Sequence, residues 1–435
     1  MPGLSLTLIK RGSTYWIGDF GVRDAQSQLP VADDTVFEAA SLSKPVFAYG
    51  VLKLVDQGKL DLDMPLTHYF SKPYIEGDSR LEKITARYVL SHRTGFPNWR
   101  GSGNPLKICF TPGERFSYSG EGFVYLQKAV ERVTGKLLND YMTEAVFQPL
   151  GMASSSYVWR ADYDRRAATG HDGAGQVQEK SKPKEANAAA SLHTTAGDYA
   201  LFVEALFNGK GLKRATLEQM EQPQIAVDPE CTNCTDRVPN NLSNSVFWGL
   251  GVGIQETRQG KALWHWGDNG VFKCFILAYP RQKLGLVMFT NAENGLSIAP
   301  EIVAEALSGD QPVFAWIKYD RYDSPPMKFA KTVHDRGASA AIEEFRPSLM
   351  RGDIPENSIN ATGYQLLNQK ELSQAIQIFQ LNVQLFPQSA NAYDSLGEAY
   401  MDNGDKDLAI QNFRKSLVLN PENTNAVEML KKMQP

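Results

Sequence analysis

Cysteine is scarce in this chain: there are four, at positions 109, 231, 234 and 274. That excludes a small disulfide-stapled framework. Cys231-Thr232-Asn233-Cys234 is a lone C-x-x-C. A zinc site would need about two further ligands at suitable spacing, and no second C-x-x-C or paired histidine lies nearby. Set among Asp, Pro and Asn, the pair reads as a loop with either a local disulfide or two free thiols. A redox or metal role would make Cys231→Ser lose function, and no such loss is expected. The six histidines are scattered and form no H-E-x-x-H, so no metal and no cofactor are expected. Long apolar runs are also missing. Nothing approaches the ~20 residues that span a bilayer, and Leu284–Met288 reads as a buried strand. A charge excess is missing too: 45 Lys and Arg stand against 49 Asp and Glu, a net −4. Neither nucleic acid nor an anionic membrane is expected as a partner. No secretory signal is visible. Because a domain seldom opens on a strand with nothing before it, an upstream helix or leader is expected. Export to the periplasm and a cytoplasmic location both stay open.

Apolar residues make up 42% of the chain, enough for a sizeable core, and 435 residues suggest two or three domains at ~150 each. Leu4–Ile9, a turn at Arg11-Gly12-Ser13, and Thr14–Ile17 read as a β-hairpin. From Ser43 a helical spacing runs to Gly58. Further helices are predicted over Gly122–Val133, over Leu138–Phe147 with a stop before Pro149, and over Ala196–Phe207, with His193 and Thr194 at its start. After Asn244 the pattern turns to strands: Phe247–Ile254, Ala262–Trp266, Phe272–Tyr279 and Leu284–Thr290. A helix at Pro300–Leu307 follows. Strands at both ends with helices between predict one sheet built from both ends of the domain, with an inserted helical subdomain.

Ser41-Leu42-Ser43-Lys44 fits S-x-x-K. Serine is a poor nucleophile until a base takes its proton. On a helix, residues i and i+3 share a face, so Lys44 stands beside the Ser41 hydroxyl. A lysine can act as a base near neutral pH when burial or positive neighbours lower its pKa. Pro45 fits only near a helix start, which puts Ser41 where free backbone N–H groups can stabilise an oxyanion. The bare motif is common by chance. Two further elements change that. Phe116-Ser117-Tyr118-Ser119-Gly120-Glu121-Gly122 offers a tyrosine before a helix. Leu263-Trp264-His265-Trp266-Gly267-Asp268 puts a histidine on a strand, with the two tryptophans on its opposite face.

In this order and spacing the chain resembles the beta-lactamase-related serine hydrolases, which include class C beta-lactamases, DD-peptidases, D-aminopeptidases and beta-lactamase-like carboxylesterases. The flanks Phe37–Pro45, Leu90–Pro97, Val146–Met152, Leu192–Tyr199, Trp248–Gly251 and Phe289–Asn291 resemble it too, over roughly residues 2–308. The resemblance implies an α/β penicillin-binding-protein-like fold and hydrolysis of a small ester or amide through an acyl-enzyme on Ser41. Lys44 and Tyr118 would share the proton traffic, and which is the base stays open. His265 would polarise the site or bind a substrate carboxylate or carbonyl. The backbone N–H groups of Ser41 and Asp268 would form the oxyanion hole, and Gly267 would let substrate lie close to the strand. Two departures stand out. Gly120 replaces the family's asparagine, which grips acylamino substituents, so Glu121 or Ser119 is a candidate to compensate. His265-Trp266-Gly267 replaces K-T-G. Both point away from efficient beta-lactamase activity, toward an esterase or a D-amino-acid peptidase. His92 and Arg93 read as loop-holding residues.

Prolines 312, 325 and 326 mark a linker. Beyond it Ala375, Phe379, Leu385 and Pro387 recur as Ala409, Phe413, Leu419 and Pro421, a period of 34 residues. This resembles the tetratricopeptide repeat. Two copies are legible, and Met327–Phe345 is expected to add an earlier helix. Because fewer than three units are seldom stable alone, docking onto the linker helices or the catalytic domain is expected. The division is 1–310 hydrolase domain, 311–350 linker and packing helix, and 351–435 repeat domain. The repeats would serve a protein partner or self-association, or act as a stabilising appendage.

Overall fold

The computed structural model describes residues 2–101, 105–173 and 175–433. Two compact units divide the chain, Met1–Tyr319 and Asp320–Pro435. In the first, strands β1 (Gly3–Lys10), β2 (Ser13–Asp24) and β3 (Leu29–Pro30) open the unit. A detached pair, β4 (Phe37–Glu38) and β5 (His193–Thr194), brackets the helical subdomain. Then come β6 (Ile225–Ala226), β7 (Val246–Trp248), β8 (Gly253–Thr257), β9 (Gly260–Asp268), β10 (Lys273–Tyr279) and β11 (Leu284–Thr290). Among the described residues, nine of these form one antiparallel sheet in the order β3-β2-β1-β11-β10-β9-β8-β7-β6. β1 lies beside β11, Leu6 opposite Met288. The two ends of the unit therefore meet in mid-sheet, and the helical insertion leaves from one edge.

Period-two alternation gives the sheet two buried faces. On β10, Cys274, Ile276 and Ala278 join the larger core, which holds α1 (Ser43–Asp56) and α3 (Gly120–Thr134), α2 (Ala86–Leu90) lying between them in sequence. Phe275, Leu277 and Tyr279 face the second core, closed by Ala299, Val303 and Leu307 of the helix Ala299–Leu307. His265 stands opposite Ile276 and shares its face, while Trp264 joins the second core with Trp266 packed against it.

Four local expectations change. His193 and Thr194 do not start a helix. Their backbone pairs with β4, and the Thr195 hydroxyl caps Ala196–Asn208 by accepting the Asp198 N–H. Helix Leu138–Met142 passes into a wide turn over Thr143–Phe147 and resumes to Leu150, so Pro149 sits in a first turn where its missing N–H costs nothing. The run Phe247–Ile254 breaks into β7 and β8 at a turn closed by Gly249 N–H on the Val252 carbonyl, 2.8 Å. Pro312 opens a helix, Pro312–Ile317, whose Val313 and Trp316 are buried in the first unit, so this proline marks a helix start and not a linker. No helix among the described residues is long and apolar enough to cross a membrane.

The second unit is helical. Pro325–Arg336 and Ala338–Arg351 precede Glu356–Asn368, Leu372–Leu385, Ala390–Asn403, Lys406–Leu419 and Thr424–Met433. The repeat is now explained by contact. A Cβ on Gly363 would stand 2.5 Å from the Phe379 ring, and one on Gly397 2.9 Å from Phe413. Each glycine thus lets the next helix's phenylalanine seat fully buried. Phe329, Val333 and Ala341 share a core with Ile359 and Ile378, which is the docking of linker helices onto repeats that two copies required.

Candidate active site

Ser41 sits in a short 3-10 turn, Ala40–Leu42, that feeds α1. The turn is held from several sides. The Ser43 hydroxyl donates to the Ala40 carbonyl (2.6 Å) and accepts the Leu192 N–H (3.0 Å). Tyr199 and Tyr157 hydroxyls donate to the carbonyls of Leu42 and Ser43 at 2.9 and 2.7 Å. Ala40 takes φ +48°, a left-handed value that costs a residue with a Cβ of order 1 kcal/mol. The strain sits directly before the serine.

Lys44 is fully buried. Its Nζ lies 3.0 Å from Ser41 Oγ and 2.8 Å from the Ala189 carbonyl. Its other neighbours are aromatic: the rings of Tyr118, Phe123 and Trp99 have centroids 4.8, 5.7 and 6.0 Å away. Desolvation therefore holds its pKa well below that of an ordinary lysine. Tyr118, on the segment leading into α3, is pushed up by burial, and the Ser41 hydroxyl pulls weakly the other way without reaching regular hydrogen-bond geometry. Both groups are driven toward their neutral forms, amine and phenol.

His265 is buried, and burial, with the Lys44 charge adding to it, lowers its pKa to about 3. Its Nδ1 lies 2.7 Å from the Trp266 carbonyl. Only N–H can bond a carbonyl, so Nδ1 carries the proton and Nε2 presents a lone pair. In this tautomer the neutral ring offers a lone pair, a better partner for a hydrogen-bond donor than for a carboxylate.

Gly267, Gly120 and Glu121 have neighbours that the sequence did not reveal. A Cβ at Gly267 would stand 2.5 Å from the Ala39 carbonyl, so the close approach it serves is the chain's own. The contact seats the end of β9 against the Ala40–Ser41 turn. The Asp268 carboxylate is tied to Lys273, to the Tyr319 hydroxyl and to the Gly270 N–H, which leaves only its main chain for the site. Glu121 neither faces solvent nor compensates for asparagine: it is buried, paired with Arg100 and bonded by the Tyr74 hydroxyl (2.5 Å). Burial alone would raise its pKa, but Arg100 and Tyr74 more than reverse this. Ser119 caps α3 by accepting the Gly122 N–H and donates to the Pro97 carbonyl, so it is not free for substrate either. Over Gly120 lies the Trp99 indole.

Residues 1–308 match the family model described as Beta-lactamase. The chain belongs to the beta-lactamase family. Residues 390–423 match the tetratricopeptide repeat. Among curated proteins, this family member is 22% identical over 312 residues to Protein flp of Staphylococcus aureus strain MRSA252, covering 67% of this chain and 60% of that protein. It is 30% identical over 204 residues to Esterase EstB of Burkholderia gladioli, covering 40% of this chain and 51% of that protein. The chain thus spans 60% of the staphylococcal relative's length. Among solved structures, the octameric penicillin-binding protein homologue from Pyrococcus abyssi superposes with TM-score 0.59 at 24% identity, covering 76% of this chain and 77% of that one. A mutant class C beta-lactamase gives TM-score 0.57 at 21% identity, covering 67% and 87%. At these identities the superpositions speak for the fold.

In this beta-lactamase-family domain the structure gives His92 a second task beside holding a loop, and adds Thr232 and Trp99, which the sequence did not single out. His92 has φ +54° and stacks on Tyr118 at 4.2 Å, while its Nδ1 accepts the Ser119 N–H (3.0 Å). It holds the tyrosine as well as a loop. Thr232, inside the Cys231–Cys234 disulfide loop, accepts the Tyr118 N–H (2.9 Å). Trp99 left one legible trace, the missing side chain at Gly120.

Proposed function

We propose that this chain is a serine hydrolase that forms an acyl-enzyme on Ser41 and acts on small esters, with D-amino-acid amides as the less favoured class. The observation that carries this is Lys44, fully buried without an acidic partner among the described residues and 3.0 Å from Ser41 Oγ. As Oγ attacks the acyl carbonyl, its proton passes to the neutral Lys44 amine. The oxyanion is taken by the backbone N–H groups of Ser41 and Asp268. The leaving alkoxide takes its proton from the Tyr118 phenol, which Lys44 restores, and water then releases the acyl group by the reverse route. Lys44 and Tyr118 titrate as a coupled pair, and burial favours the amine as base and the phenol as acid. Gly120 and the neutral His265 support an ester over a beta-lactam or a peptide carboxylate.

The test is a panel of p-nitrophenyl esters of rising chain length, nitrocefin and D-alanyl peptides, run on the native chain and on Ser41→Ala. Ester turnover is expected to fall by about 10⁴-fold or more in the variant. Strong nitrocefin turnover would overturn the reading of Gly120. If a fluorophosphonate labels the native chain no better than Ser41→Ala, the enzyme reading falls. A second reading then takes over, a weakly active or inactive scaffold that holds a protein partner or a second copy through its repeats; the 34-residue match favours it.

A further inference from the structure

Trp99 stands at the Ser41 pocket for reasons built into its neighbours. The segment 97–100 is tied to the start of α3 at every step. Ser119 Oγ donates to the Pro97 carbonyl at 2.8 Å. Gly120 N–H donates to Asn98 Oδ1 and Glu121 N–H to the Asn98 carbonyl, both at 2.9 Å. Arg100 donates to the buried Glu121 carboxylate through Nε (3.1 Å) and to the Tyr74 hydroxyl (2.7 Å). Trp99 sits between these anchors, so its ring is positioned and not a loose loop side chain. A Cβ at Gly120 would meet three carbons of its six-membered ring at 2.7, 2.8 and 3.0 Å. The indole thus fills the space where a side chain at position 120 would project. Its centroid is 6.0 Å from Lys44 Nζ, which in turn lies 3.0 Å from Ser41 Oγ, and 45% of the residue stays exposed. It is a wall with one free side, not core.

Among the described residues, charged groups of the site are already paired. Arg100 is paired with Glu121, Lys273 with Asp268, and His265 gives its N–H to a backbone carbonyl. An acyl group entering beside Trp99 meets aromatic carbon where an asparagine at position 120 would offer an amide, and the nearby Asn98 amide oxygen is already taken by the Gly120 N–H. We propose that Trp99 is a specificity-determining residue, whose indole walls the acyl pocket and selects uncharged esters with an apolar acyl group over those with an acylamino arm. Glu121 and Arg100 are its positioning residues. The inference rests on the hydrolase reading above.

The test compares kcat/KM for p-nitrophenyl butyrate and the p-nitrophenyl ester of N-acetylglycine. The native chain is expected to prefer the butyrate. Trp99→Ala should move the ratio at least tenfold toward the acylamino ester, and Trp99→Phe less than threefold. Gly120→Asn alone should lose at least tenfold on both esters, because its Cβ meets the ring. Trp99→Ala with Gly120→Asn should restore turnover of the acylamino ester above that of either single variant. If Trp99→Ala melts early, the ratio in Trp99→Leu decides instead. A ratio unmoved within twofold in a variant that melts like the native chain overturns the proposal, as does Gly120→Asn with native activity. Fluorophosphonate labelling separates the two failures. A chain that labels at Ser41 but keeps its ratio loses only the role of Trp99, whereas one that neither labels nor turns over ester loses the hydrolase reading and this one with it.

Discussion

At the scale of single residues, the site depends on ionisable groups held in the wrong medium. Lys44 is lowered by burial, so the unfolded chain binds its proton more tightly than the native one. The sign follows: native Lys44 costs stability through neutral pH, and the cost shrinks as pH rises toward 10.5. Lys44→Met is therefore expected to raise the melting temperature at pH 7, by about 1–3 kcal/mol of stability, while abolishing fluorophosphonate labelling. Calorimetry beside a labelling gel checks both, and a lower melting temperature would contradict the account. His265 behaves alike on the acid side. Its folded value is about 3 against an ordinary 6.5, so stability is lost as pH falls from 6.5 toward 3. At pH 5 the loss is about 2 kcal/mol. In His265→Gln the melting difference between pH 7 and pH 5 should narrow, though not vanish, because His92 is lowered in the same direction. The pair Ser41 and Lys44 was legible because three residues of spacing suffice to place one beside the other. The work of Glu121 was not, because Arg100 and Tyr74 reach it from outside its helix.

At the scale of elements, the loop around Cys231 and Cys234 gains a function that its composition did not announce. The two cysteines are joined, and Thr232 between them accepts the Tyr118 N–H. Arg115 reaches the carbonyls of Cys234 and Thr235, so the loop straps the segment that carries the phenol. The expectation that Cys231→Ser is silent is revised. The variant should lower ester kcat several-fold, shift the pH profile set by Lys44 and Tyr118, and cost about 2 kcal/mol or less, since so short a loop constrains little. An unchanged pH profile would show that the strap matters for stability alone. Helix starts and stops were largely readable, since caps act within a turn or two. The pairing of His193–Thr194 with Phe37–Glu38 was not, because a two-residue strand has no periodicity, and only its distant partner makes it one.

At the scale of the whole molecule, the residues proposed to act all come from Ala39–Tyr319, within the first compact unit. A chain ending after Tyr319 is expected to label with fluorophosphonate within about twofold of the native rate. One ending after Asp310 should lose labelling and melt earlier. It would strip Val313 and Trp316 from the second core, the Trp316 bond to the Asp228 carbonyl and the Tyr319 bond to Asp268, and removing a buried Trp side chain alone costs about 3–5 kcal/mol. Labelling rate and melting temperature of the two truncations decide between the boundaries. By itself the sequence determined what short-range physics determines: the strand and helix periods, the serine–lysine spacing, the 34-residue repeat, and the order of Ser41, Tyr118 and His265 along the chain. The tertiary structure alone decided what fills the space at Gly120, which nitrogen of His265 holds the proton, and why Gly267 must be bare. Those are questions about neighbours from remote segments, and contact distance, not chain order, fixes a pKa, a tautomer or a pocket wall.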